Sequence, residues 1–371
     1  MPQRSEGASV KIAIIGCGAI GGFVGAKLAL AGEQLTLLVR GANLQAISAR
    51  GLKLIMSDGT EHIAPNVTAT QDYAAAGPQD LVILCVKAHQ LEPVAGQLPL
   101  LFGANTVVVT MQNGIPYWYF HQHGGELSGS IVRSVDPNGL IRRRIPAERV
   151  IGCVVYPAAE LIAPGVVRHI EGDRFPVGEL DGTHSERVTR VSHCLTRAGF
   201  KAPVLEDIRA EIWLKLWGNL TFNPISALTR STLVDICQFP GTRQLATAMM
   251  TEAQAVAHKL GIVFRVDLER RIAGAERVGK HKTSMLQDFE AGRESELEAL
   301  VGSVVELGRL TRTRTPHIDA VYGLTQLLAR SVADARPRQS GNDPPGAPAI
   351  GRAGHVSAAP SAAGGASSAA T

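Results

Sequence analysis

Apolar residues run almost unbroken through 10–15, 35–39, 80–86 and 106–111, with little alternation of polar and apolar positions. Strands with one wet face alternate, whereas strands covered on both faces do not, so these four read as the interior of a parallel sheet. Helix-compatible or turn-rich stretches separate them in a βαβ rhythm. From 150 to 180 the runs shorten to 150–155, 165–170 and 175–178, with Gly and Pro between them. They are expected to extend the same sheet, antiparallel at its edge. Past residue 206 the period changes. Ile212, Trp213, Leu216, Trp217 and Leu220 form one apolar stripe on a helix over 209–220, which Pro224 should end or bend. Further helices are predicted over 241–260, 267–279 and 295–309, with Gly261 and Gly308 as stops. Beyond them Pro, Gly, Ala and Ser dominate, without the large apolar residues that offset ordering entropy. The pattern predicts an α/β fold with an N-terminal parallel-sheet domain over 9–205. An all-helical C-terminal domain over 206–331 and a disordered tail over 332–371 complete it.

The first strand leads directly into Gly16-Cys17-Gly18-Ala19-Ile20-Gly21, and a helix-forming stretch follows. A G-x-G-x-x-G turn between strand and helix is the arrangement of a Rossmann-type dinucleotide site. Gly16 permits the tight turn, Gly18 lets backbone approach a pyrophosphate, and Gly21 lets helix and strand pack closely. The helix N-terminus then offers free N–H groups and a positive dipole end to the phosphates. In NAD-selecting sites a carboxylate at the end of the second strand holds the ribose 2′-OH. Here that strand ends Leu38-Val39-Arg40-Gly41. The acid is missing, and the Arg40 guanidinium suits a 2′-phosphate, so NADPH/NADP+ is the expected cofactor. Lys87 and Asn113 follow the strands at 80–86 and 106–111. Ligands of open α/β sheets bind outside such carboxyl ends, and both residues are candidates for the cofactor.

Composition narrows the surroundings. Of 371 residues 45% are apolar, enough for a full core, and the net charge of +4 is mild. Arg142, Arg143 and Arg144 form the single tight basic cluster, and a nucleic-acid partner is not expected. Five cysteines (Cys17, Cys85, Cys153, Cys194, Cys237) are odd in number and contain no C-x-x-C. That suits reduced thiols, neither a disulfide frame nor a metal site. Residues 1–9 lack the apolar core of a signal peptide, and no apolar run approaches the roughly 18 residues of a membrane span. A cytoplasmic setting without a membrane partner follows. The apolar positions Ala246, Met249, Met250, Ala253 and Val256 fit internal packing or a dimer face, so monomer and homodimer stay open.

The helix at 209–220 carries a second stripe. Lys215, Asn219 and Asn223 stand four apart, which aligns one ammonium and two amides along the edge of the buried face. Spacing alone leaves these as solvent-facing polar residues or as a site.

The string Ile208-Arg209-Ala210-Glu211-Ile212-Trp213-Leu214-Lys215-Leu216, followed by Asn219 and Asn223-Pro224, resembles the signature helix of ketopantoate reductases (2-dehydropantoate 2-reductases). Ser284-Met285-Leu286-Gln287-Asp288, Gly292-Arg293 and Glu296 are similar to the same family, as are Val86-Lys87-Ala88 and Gln112-Asn113-Gly114. The resemblance spans about residues 10–325. It implies an NADP-binding Rossmann domain, a helical domain, a cleft between them, and NADPH-dependent reduction of 2-dehydropantoate to pantoate in pantothenate and coenzyme A biosynthesis. Lys215 would be the general acid that protonates the keto oxygen, and Glu296 would anchor substrate and cofactor and hold Lys215 charged. Asn113, Lys215, Asn219, Asn223 and Ser284 would bind substrate. The Gly16–Gly21 turn, Arg40, Lys87, Asn113, Ala158 and Glu296 would bind cofactor.

Two segments depart from the family pattern. His281-Lys282-Thr283 and Arg230-Ser231-Thr232-Leu233 stand where some members carry asparagines that touch substrate recognition, and Pro116-Tyr117-Trp118-Tyr119-Phe120 could line the cleft mouth. A reductase of another branched 2-keto acid, or a 3-hydroxyacid or glycerol-3-phosphate type of dehydrogenase, is the alternative within enzymes. A non-catalytic NADP(H) sensor is the alternative outside them, although a sensor needs none of the polar residues on the helical half.

Overall fold

The run from Ile12 to Ile15 is buried at every position, and its alternate side chains enter different cores. Ala13 and Ile15 pack on one side of the sheet, while Ile12 and Ile14 pack on the other. The computed structural model describes residues 10–335. The expectation of no signal segment over 1–9, and that of disorder for the tail beyond 335, lie outside them.

Among the described residues, eleven strands form two sheets: β1 (Lys11–Ile15), β2 (Gln34–Leu38), β3 (Lys53–Ile55), β4 (Glu61–Ile63), β5 (Val67–Thr70), β6 (Gln79–Leu84), β7 (Phe102–Thr110), β8 (Val150–Cys153), β9 (Ala158–Ala163), β10 (Val166–Glu171) and β11 (Val177–Gly178). The larger sheet has the order β11-β8-β7-β6-β1-β2-β5. It is parallel except for β11, which pairs antiparallel with β8 at the edge, as expected for 175–178. The order reverses between β1 and β6, and that switch point is where open α/β sheets place ligands. The segment 165–170 does not extend this sheet. As β10 it belongs to a second sheet, β4-β3-β10-β9.

Helix α1 (Ala19–Leu30) is sandwiched between the two sheets, which explains its glycines. A Cβ on Gly22 would lie 2.5 Å from Val167 of β10, and one on Gly25 would lie 3.1 Å from Ile14 of β1. Phe23 stacks on His169 with ring centroids 4.5 Å apart. Each helical glycine costs about 1 kcal/mol against alanine, and close packing on both sides offsets it. The remaining helices of this half are α2 (Gly41–Arg50), α3 (Tyr73–Ala76), α4 (Leu91–Ala95), α5 (Leu140–Arg144) and α6 (Glu186–Arg197).

Seven helices follow: α7 (Ile208–Thr229), α8 (Leu233–Gln238), α9 (Pro240–Lys259), α10 (Leu268–Arg277), α11 (Ser284–Glu290), α12 (Ser303–Leu310) and α13 (Pro316–Asp334). A π turn over Glu298–Gly302 leads into α12. Pro224 does not end α7, which continues to Thr229 because Leu220, Phe222 and Ile225 keep its buried stripe going. Gly308 lies inside α12 rather than at its stop. A Cβ there would come within 3.2 Å of the Thr313 carbonyl, so the returning chain needs that glycine. Helix α13 reaches three residues into the stretch assigned to the tail.

Helix α7 is also packed into the sheet-bearing half. The Arg209 guanidinium donates to the carbonyls of Tyr119, Leu180 and His121, and Trp213 Nε1 donates to the Tyr119 hydroxyl at 2.7 Å. Ile208, Ile212 and Trp213 share one core with Val82 and Val108 of the sheet. The helix bearing Lys215 is thus fixed against both halves.

Candidate active site

The glycine-rich turn has the geometry its residue types imply. Gly16 has φ +92°, and its amide donates to the Leu38 carbonyl at 3.1 Å, so the chain turns sharply over the switch point. A Cβ on Gly21 would lie 1.9 Å from the Gly16 carbonyl oxygen. Gly18 differs: nothing lies within 4 Å of where its Cβ would be, and as the N-cap of α1 it brings no side chain to the first-turn amides. That open cradle of free N–H groups at a helix start fits a pyrophosphate. Cys17 is buried, and burial pushes its thiol up to about 12. Its carbonyl accepts from Asn43 Nδ2 at 3.1 Å, and Asn43 Oδ1 accepts from Gly165 N at 2.9 Å, tying the turn to the β9–β10 hairpin. Ala19 and Ile20 open α1 beside it. Arg40 stands exposed at the end of β2 as the N-cap of α2.

Three residues foreseen for the chemistry meet across the cleft. Lys215 Nζ donates to Asn113 Oδ1 at 2.6 Å and also to the Val155 carbonyl. Asn113 Nδ2 donates to Glu296 Oε2 at 3.0 Å, and Glu296 Oε1 accepts from Ala88 N at 3.1 Å. A carboxylate only accepts, so Glu296 fixes the Asn113 amide with its oxygen toward the ammonium. Two of the three Lys215 protons are held and one is free to point into the cleft. Burial lowers the Lys215 pKa to about 8, with the Glu296 charge working in the opposite direction. The cleft is open to solvent and is lined by Lys215, Asn113, Asn219, Trp118, Cys153 and Val155 among others. Gly114 sits against the π turn, where a Cβ would lie 2.2 Å from the Ala299 carbonyl.

The other foreseen residues are placed unevenly. Asn219 lines the cleft. Asn223 is buried one turn further along α7, and among the described residues its Nδ2 has no hydrogen-bond partner. Ser284 is exposed on the first turn of α11 and is not among the residues lining the cleft. Ala158 opens β9, also away from that lining. Lys87 pairs with Asp288 and donates to the Glu294 carbonyl at 3.2 Å, so its ammonium links the sheet to α11 and the loop after it. Among the described residues no group of His, Cys, Asp and Glu is arranged to hold a metal, and no helix is long and apolar enough to cross a membrane.

Sequence reasoning missed the polar wall beside Lys215. Glu211, one turn earlier on α7, is buried, pairs with Arg174 and accepts from the Tyr156 hydroxyl at 2.8 Å. The Tyr156 ring lies 6.0 Å from Lys215 Nζ. Gln112 was likewise missed as more than a neighbour of Asn113. Its Nε2 donates to the Leu84 and Val86 carbonyls at 3.0 and 3.2 Å, closing the carboxyl end of β6. The i, i+4 spacing of Glu211 and Lys215 was the available signal.

Family models match most of the chain: ketopantoate reductase PanE/ApbA over residues 12–182, and the ketopantoate reductase PanE/ApbA C-terminal model over 207–329. A 2-dehydropantoate 2-reductase from Mesorhizobium japonicum is 56% identical over 321 residues, covering 86% of this chain and 98% of the relative. One from Archaeoglobus fulgidus is 30% identical, covering 80% and 90%. Among solved structures, a protein provisionally assigned as a ketopantoate reductase from Ralstonia solanacearum MolK2 is 42% identical with a TM-score of 0.84, covering 87% of this chain and 99% of that one.

Proposed function

This chain belongs to the ketopantoate reductase family, and from that premise we propose that it reduces 2-dehydropantoate to pantoate with NADPH. The observation that carries the reading is the Lys215–Asn113–Glu296 chain, set in a cleft across the sheet end from the glycine cradle. When bound along the Gly16–Gly21 turn, NADPH supplies a hydride to the keto carbon. Everything else falls to side chains of this protein. Lys215 donates its free proton to the keto oxygen as negative charge grows there, and its charge stabilises that oxygen beforehand. Asn113 aims the ammonium, and Glu296 holds Asn113 in register. Asn219 and the unpartnered Asn223 amide are offered to the substrate hydroxyl and carboxylate, with Ser284 brought in from the rim. The Arg40 guanidinium selects the 2′-phosphate. Lys87 and Ala158 belong to the cofactor side in this reading, Lys87 through its hold on Asp288. The enzyme acts in the cytoplasm on a small acid, as monomer or homodimer, and without nucleic acid or membrane.

NADPH oxidation with 2-dehydropantoate, against 2-ketoisovalerate and NADH as controls, tests this directly. NADPH should exceed NADH in kcat/KM by about tenfold or more, and Arg40→Ala should erase most of the difference. Equal use of the two cofactors by the wild type would remove Arg40 from its role.

The pH profile follows from Lys215. The donor must be protonated, and its pKa lies at about 8. Reduction is therefore full below that pH, and kcat/KM should fall about tenfold per pH unit above it. A flat profile to pH 10 would mean that another group protonates the oxygen.

A further inference from the structure

The half-buried arginines of this protein are nearly all committed. Arg174, Arg187 and Arg243 pair with carboxylates, and Arg149 and Arg209 donate to backbone carbonyls. Arg271 on α10 is the exception: it is half-buried, and among the described residues its guanidinium has neither a carboxylate nor a carbonyl partner. Burial presses its pKa down, and the titratable groups acting on it are Tyr156 and Cys237, neither of them a carboxylate. A buried cation without an anion is costly unless something else supplies the charge.

Its position says what that something is. A Cβ on Gly218 would lie 2.0 Å from Arg271 Nη2 and 2.8 Å from Cζ, so the guanidinium rests on the bare backbone of α7. Gly218 is three residues from Lys215, about 4.5 Å along the helix axis, and is adjacent to Asn219, which lines the cleft. Asn223 adds a second, independent observation one turn on: a buried amide nitrogen without an acceptor. Ser284 is not in the lining. Lys215, Gly218 with the Arg271 fork resting on it, Asn219 and Asn223 thus follow one another along α7, with Lys215 and Asn219 in the cleft lining.

We propose that Arg271 is a specificity-determining residue that binds the carboxylate of the 2-keto acid, with Gly218 present to let its guanidinium reach the cleft. The inference rests on the 2-keto acid chemistry proposed above and adds the group that reads the acid. A planar fork meets a carboxylate with two parallel hydrogen bonds, while the adjacent keto oxygen falls to Lys215. Tyr156 stands beside both cations: its ring lies 6.0 Å from Lys215 Nζ, and it is the titratable neighbour that acts most strongly on Arg271.

The test compares wild type, Arg271→Met and Gly218→Ala in NADPH oxidation with 2-dehydropantoate, 2-ketoisovalerate and the methyl esters of both. Gly218→Ala keeps the arginine and favours helix, so it separates displacement of the guanidinium from loss of fold. KM for the acid that the wild type prefers should rise about 10- to 100-fold in both variants, the range for losing hydrogen bonds to a charged group. kcat should stay within about threefold, and the ester of that acid, already a poor substrate, should lose less than about twofold further. Acid and ester losing equally, or KM for the acid unchanged, would overturn the assignment. A wild type that prefers 2-ketoisovalerate would overturn the named substrate, while Arg271 would still be decided by the acid-to-ester comparison. A wild type that reduces ester as readily as acid, or reduces neither, would overturn Arg271.

Discussion

Lys215→Ala is expected to lower kcat by about 10²- to 10⁴-fold, the span for losing a general acid. The loss should fall on turnover rather than cofactor binding, because the Gly16–Gly21 turn makes none of the bonds that hold this ammonium. Two acceptors fix the Lys215 nitrogen, Asn113 Oδ1 and the Val155 carbonyl, and both lie in the cleft wall. Water entering the space left by alanine could donate a proton but could not bring a fixed charge to the developing oxyanion, so a residual rate survives. Lys215→Arg is not a rescue, since a planar fork cannot occupy a site shaped for one nitrogen between two oxygens. NADPH titration of the alanine variant, followed by turnover at pH 7, separates the outcomes. Near-wild-type kcat would remove Lys215 from the chemistry.

Glu296→Gln should cost about 10- to 100-fold in kcat/KM near neutral pH and shift the alkaline limb downward. The sign follows from the charge. Glu296 raises the Lys215 pKa against the lowering by burial, so neutralising it takes the ammonium below its present value of about 8. Less of the lysine is then protonated at pH 7.5, and the loss should shrink as pH falls toward 6. A second effect is geometric. Glutamine keeps one acceptor where Glu296 has two, so its N–H meets either the Ala88 amide or Asn113 Nδ2, and in the second case two donors face each other unless the Asn113 amide turns over. Turning it points a donor at Lys215 in place of Oδ1. KM for the keto acid should rise with the loss of rate. A variant whose limb stays at about 8 with unchanged KM would reduce Glu296 to a cap on the Ala88 amide.

Much of this site was legible in the chain because its residues sit where local rules put them. The glycine turn follows a strand, Arg40 ends the next strand, and Lys215, Asn219 and Asn223 share a helix edge. The two short strands β3 and β4 of the second sheet were invisible. Each is three residues long and partly exposed, too short for a period to register. Lys87 carried the right signal for a ligand at a strand end, but its anion, Asp288, stands 201 residues away. Arg271 carried the opposite signal. Leu268-Glu269-Arg270-Arg271 reads as an ordinary charged helix, and only packing reveals that Arg270 pairs with Asp267 while Arg271 has no carboxylate or carbonyl partner among the described residues. Of the two effects expected of Pro224, ending the helix did not occur, because the apolar stripe continues past it.

The bonds that arm Lys215 join residues far apart in the chain: Lys215 to Asn113 across 102 positions, Asn113 to Glu296 across 183, and Ala88 to Glu296 across 208. Contacts of such separation form late, after shorter loops have closed. During synthesis the dinucleotide cradle therefore emerges and can fold long before Glu296 leaves the ribosome. A chain cut short ahead of that residue would hold an ammonium without its aim. Unfinished copies that end before Glu296 lack the carboxylate that accepts from both Asn113 Nδ2 and the Ala88 amide, and with it the hold on the Asn113 amide that faces Lys215.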